Sequence, residues 1–169
     1  MFDSIAGLPA HPLLVHGVVV LLPVAAVATA LLLWRPARWH SWSFPVVLLD
    51  LLVVGLAVAA KESGEKLEHR VPRSDLVHEH AETGELLPFV ALVVLVCALV
   101  PAAAVLWTRR TARLRPADLD EARAAAPLLP AAARLVTAVF ATLIAVGAIW
   151  MTVEVGHSGA FAVWHKLSG

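Results

Sequence analysis

The sequence has a single cysteine, no excess of charge of either sign and no basic leader, and each shortage excludes something. Cys97 alone forms no intrachain disulfide and no cysteine cage for a metal; inside an apolar run it reads as a small packing residue. Thirteen basic residues balance thirteen acidic ones, so no overall field draws the chain to nucleic acid. The opening MFDSIAGLPAHP lacks the basic region of a signal peptide, and the apolar run after it is longer than a signal core. That segment is expected to be retained. No repeat of roughly 20–50 residues is visible.

What the chain has instead is hydrocarbon. At 60% hydrophobic residues and a mean hydropathy of +0.81, it is too apolar for one soluble core of its length, and the surplus must meet lipid. Four stretches, at 13–34, 44–60, 86–107 and 135–153, approach or exceed the roughly 20 apolar residues a spanning helix needs. Backbone groups in lipid must pair internally, which makes these segments helices. The fold expected is all-α, a four-helix transmembrane bundle in a single domain over 1–169, with Pro23, Pro88 and Pro101 kinking their helices. After residue 60 the sequence KESGEKLEHRV stays compatible with helix. RSDLVHEHAETGELLPF opens with a cap at Ser74 or Asp75. A tall helical hairpin is therefore expected between helices two and three, and a short interfacial helix from Pro116 before the fourth span.

Lysine and arginine set the expected orientation, because cytoplasmic loops retain them. Arg35, Arg38, Arg109, Arg110, Arg113, Arg115, Arg123 and Arg134 fall on one side; Lys61, Lys66, Arg70, Arg73 and Lys166 fall on the other, among many glutamates. Trp34, Trp39, Trp42 and Trp107 would form the inner aromatic belt, with Trp150 and Trp164 near the outer one. A multi-pass protein of the cell membrane with both termini and the hairpin outside the cytoplasm follows.

On this topology seven of the eight histidines fall at the outer end, His40 being the exception. Imidazole is the commonest neutral metal ligand and a common haem ligand. His16 and His80 stand at matching depth, about five residues into their helices. With Gly17 and Gly84 as small neighbours and Arg70 or Arg73 for propionates, they are the expected axial pair for haem b. His11 lies about 140° around the helix from His16, and is placed with His157 as a nearby or alternative ligand. His80, Glu79 or Glu82, and His157 form the alternative, a zinc or copper site at the outer face. HEHAE at residues 78–82 does not make a zinc-protease motif, because its histidines are two apart rather than four. Ser158 beside His157 does not make a triad by adjacency, and no independent enzyme is expected. Asp50 sits inside the second span, where an ionisable group costs roughly 2.5–3.5 kcal/mol if it faces lipid; it is expected to face the bundle interior. A third reading is a cofactor-free scaffold that packs on a membrane partner through small residues such as Ala141, Ala145 and Ala148.

LPAHPLLVH, SGEKLEHRV, HEHAETGE and GHSGAFAVWH, in that order, resemble the bacterial membrane family known as domain of unknown function 2231. The resemblance implies a four-helix integral membrane domain of the cell envelope. It carries over to His11, His16, Gly64, Glu65, His80, Gly84, His157 and Gly159. Some relatives join this domain to Rieske or cytochrome-like modules, which implies membrane electron transfer; no such module is present here. Ala160 and Trp164 depart from the family pattern, where glycine and often tyrosine stand. The expected partners are the bilayer, a redox or other membrane protein and a second copy of the chain.

Overall fold

The computed structural model describes residues 4–5, 8–69, 74–114 and 129–164. Two residue pairs, β1 (Ser4–Ile5) and β2 (Leu8–Pro9), pair antiparallel ahead of the first helix. The rest is helical: α1 (Ala10–Leu33), a 3-10 turn (Pro36–Arg38), α2 (Trp39–Glu68), α3 (Asp75–Gly84), α4 (Leu87–Leu114) and α5 (Ala131–Trp164). Four helical segments are long and apolar enough to cross a membrane. Only 28–44% of each apolar window is buried inside the protein, so the remaining apolar surface, including Leu48, Phe89, Leu143 and Trp150, is left for lipid.

Cross-links along the helices set their directions. His11 meets Ala60 and Ser63, Thr29 meets Asp50, and Trp39 Nε1 donates to the Leu32 carbonyl; α1 and α2 are antiparallel along their whole length. Trp34 Nε1 donates to Thr142 Oγ1, which ties the end of α1 to the early part of α5. Arg109 donates to the His40 carbonyl and lies 5.4 Å over the Phe44 ring, which ties the end of α4 to the start of α2. The four long helices run up and down with α1 and α4 also in contact across the centre. The core is built from small residues at helical spacing, such as Ala91, Ala98 and Ala102 on α4 and Ala138, Ala145 and Ala148 on α5, which let the backbones approach.

That packing corrects two expectations. Ala141, Ala145 and Ala148 are buried at 3%, 5% and 0% exposure and serve contacts within the bundle rather than a surface offered to a partner. Pro88 is the second residue of α4, where a missing N–H costs nothing; it begins a helix instead of kinking one. Pro23 and Pro101 do lie inside helices. Ser74 caps α3 by accepting from the Val77 N–H, and α3 then lies chiefly against α5, with less contact to α2. The end of α2, α3 and α5 thus form a three-helix collar. The expected interfacial helix, and Arg70 and Arg73, lie outside the described residues.

Candidate functional site

The end of the bundle where α1 begins and α5 ends carries a repeated arrangement. His11, the second residue of α1, donates from Nδ1 to the Ala60 carbonyl at 3.0 Å, with Ser63 Oγ at 3.3 Å. Ser63 Oγ itself donates to the same Ala60 carbonyl at 2.9 Å. The next residue, Gly64, has the His11 ring lying on it: a Cβ there would meet Cε1 at 2.8 Å. His80 on α3 repeats this on α5. Its Nδ1 stands 3.1 Å from Ser158 Oγ, Ser158 Oγ donates to the Val155 carbonyl at 3.2 Å, and a Cβ on Gly159 would meet His80 Cε1 at 2.9 Å. Each histidine sits on a Ser-Gly step one turn beyond a carbonyl it shares with the serine.

The two rings are then neighbours, edge-on to one another, with centres 6.3 Å apart and planes at 76°. A carbonyl only accepts, so the proton of the neutral His11 ring is on Nδ1 and its lone pair on Nε2. The Ser158 hydroxyl spends its proton on Val155, so it accepts from His80 Nδ1 and fixes the same tautomer. Among the described residues neither Nε2 has a hydrogen-bond partner. His80 lies outside the apolar spans. Burial pushes its imidazole below the ordinary value, the His11 ring adds to this, and a hydrogen bond to the Val155 carbonyl opposes it. The arrangement leaves Nε2 of each ring available as a nitrogen donor.

The partner of His80 is therefore His11, and His16 stands elsewhere. His16 is exposed and donates from Nδ1 to its own helix at the Pro12 carbonyl. The reason is the rotation of α1. Val18, Leu22, Ala25 and Thr29 are buried, and His11 continues that stripe; His16 continues the stripe of Val20, Val24, Val27 and Leu31, all exposed. His157 is exposed and stacks on Phe161, and Glu79 is exposed. Among the described residues no three His, Cys, Asp or Glu side chains come together to hold a metal ion, so His80, Glu79 and His157 are not assembled into one. Gly17 meets Leu56 at an ordinary distance, and Gly84 has nothing within 4 Å. His78 pairs with Glu68 and Glu82, and Lys61 with Glu65 and Glu85, tying α3 to the end of α2. Asp50 is 1% exposed and accepts from Thr29 at 2.9 Å.

Sequence reasoning missed Ser63 and Ser158. Their signal was present: Ser-Gly recurs at 63–64 and 158–159, each near the end of a helix returning to this face.

Residues 7–168 match the family model of a predicted membrane protein, domain of unknown function 2231, and the chain belongs to that family. No curated protein and no solved structure matches it significantly.

Proposed function

We propose that this membrane protein binds haem b at the extracytoplasmic end of its bundle, where His11 and His80 would hold it, and serves membrane electron transfer. The observation that carries the reading is the pair of imidazoles with centres 6.3 Å apart. Two imidazoles bound on opposite sides of one metal, at roughly 2.0 Å each, place their ring centres about 6 Å apart. Metal-ligating histidines usually give their other N–H to a carbonyl or similar acceptor, which fixes ring and tautomer, and both rings have such a partner. Zinc in a structural site takes four protein ligands. Haem brings four nitrogens of its own and lacks only two. A two-imidazole site therefore suits haem better than a bare ion. When bound, haem supplies reversible one-electron exchange; this chain supplies the ligands and the polar second contacts that orient them, and a redox protein at the same face would be its partner. The lysine and arginine asymmetry supports that orientation.

The test is the visible spectrum and iron content of protein expressed with haem available. A bis-imidazole Soret and α-band are expected, lost or shifted in His11→Ala and in His80→Ala, and unchanged in His16→Ala and His40→Ala. Folded, colourless, iron-free protein would overturn the reading. Stoichiometric zinc or copper lost from the same two variants would replace haem with a bare ion. For orientation, Asp75→Cys and Ala37→Cys on a Cys97→Ala background should label differently in intact cells. An impermeant reagent is expected to reach position 75; reaction at 37 alone would invert the topology.

A further inference from the structure

A second polar feature lies away from the imidazoles, in the membrane interior. Asp50 is on the buried stripe of α2, 1% exposed. Its Oδ2 is bonded to Thr29 Oγ1 at 2.9 Å, while its Oδ1 is buried and has no hydrogen-bond partner. No basic side chain among the described residues forms an ion pair with it. From α1 it meets the Thr29 hydroxyl; the titratable group buried on α4 is the Cys97 thiol; α3 meets α2 farther along, where His78 pairs with Glu68. Thr29 is set apart from Thr83, Thr108, Thr137, Thr142 and Thr152, all of which donate to carbonyls of their own helix. Its hydroxyl is spent on the carboxyl.

We propose that Asp50 is a proton-binding site inside the membrane, carried as the neutral acid at neutral pH and exchanging its proton with water. An ionised carboxylate here would have one hydrogen bond for two oxygens and no counter-charge, the arrangement that low-dielectric surroundings penalise most. A single proton removes the charge. It lets Oδ2 donate to Thr29 Oγ1 along the same contact, the threonine hydrogen turning to a carbonyl of its own helix as in the other threonines, and leaves Oδ1 as a carbonyl; an under-satisfied carbonyl oxygen is tolerated more readily than an orphaned donor. An intramembrane carboxyl that can lose this proton is a site for proton uptake and release, independent of what the imidazole pair binds.

Infrared spectra of the whole protein in liposomes test this directly. At pH 7 a protonated-carboxyl stretch above the amide band is expected, absent from Asp50→Asn and shifted on transfer to heavy water. Alkaline titration of the wild type should abolish the same band, so the test holds even if Asp50→Asn does not fold. A hydrophobic carbodiimide, which adds to the protonated acid, should modify Asp50 in native protein. No carboxyl band at pH 7 in folded wild-type protein would show an ionised Asp50 and overturn the proposal. A band that never shifts in heavy water would overturn it too, because the proton would be locked in a structural bond.

Discussion

His11 and His80 are held by the same contacts, yet their two settings differ in how much of the fold they depend on. His11 is bound within one hairpin: α1 and α2 are joined by the short connection through Pro36–Arg38 and packed along their length, so its Ser63-Gly64 step is delivered by a self-contained pair. His80 stands on the short α3, outside the spans, and reaches Ser158-Gly159 on α5 from 78 residues away. Its position relies on the Ser74 cap, the collar contacts and the whole α4 excursion. The first half-site is fixed by local topology, the second by long-range packing. A site that needs both will therefore fail first at His80.

The largest expected effect comes from filling the notches. Gly64→Ala and Gly159→Ala put a Cβ at 2.8 Å and 2.9 Å from a ring carbon, so the imidazole must leave its place. Overpacking of this kind costs about 1–3 kcal/mol. The lower thermal midpoint in detergent should be accompanied by loss of the paired-imidazole spectrum. His11 sits in the extensively packed α1–α2 pair, so Gly64→Ala should cost stability more, whereas Gly159→Ala should release α3 and damage the site more. Gly147→Ala, with nothing within 4 Å of the new Cβ, is the control; in mid-helix it should stabilise by about 0.5–1 kcal/mol. Equal losses at 64, 147 and 159 would mean that the notches have no special role.

Removing the serine hydroxyls should cost less and separate the halves further. His11 keeps a carbonyl acceptor at 3.0 Å in Ser63→Ala. His80 in Ser158→Ala loses the hydroxyl at 3.1 Å and falls back on the Val155 carbonyl. A typical net hydrogen bond contributes about 0.5–1.5 kcal/mol; Ser158→Ala is expected near the upper figure and Ser63→Ala near the lower. Thermal unfolding of the two variants, measured side by side, checks the order. The reverse order would show that His11 depends on its serine more than His80 does.

The spans, the α3 cap and the inward face of the second helix could be read from the sequence because each follows from a local rule. Apolar length makes a span, a serine before an amphipathic turn makes a cap, and a carboxyl cannot face lipid. Which histidine faces inward was a question of helix rotation. It is answerable in part: the stripe through His11, Val18 and Leu22 includes small Ala25 and polar Thr29, while that through Val20, Val24, Val27 and Leu31 is uniformly bulky and apolar. Continuing the first stripe back leads to His11. Depth along the helix favours His16 equally well, because depth carries no information about rotation. The Ser-Gly steps were harder to see. A glycine's value as a notch depends on what lies against it, and nothing within residues 63–64 or 158–159 names a histidine 52 or 78 positions away.

The smallest expected effect is on pH. His80 is held below its ordinary value of 6.5, first by burial and then by the neighbouring His11. A base whose folded value is depressed binds fewer protons folded than unfolded, so stability rises with pH across this interval. Its contribution is complete above about pH 6.5 and is lost as pH falls through the folded value, when a proton on His80 would face the His11 ring from a half-buried position. The thermal midpoint of the protein in detergent should therefore decline on acidification below about pH 6.5, with a matching loss of the α3–α5 contact in hydrogen exchange at residues 75–84. His80→Gln should flatten that decline, since glutamine does not titrate in this range. A decline that persists unchanged in His80→Gln would assign it to another group. A midpoint that rises on acidification would mean that His80 gains stability on protonation, the opposite sign to that expected for an imidazole placed to offer a lone pair.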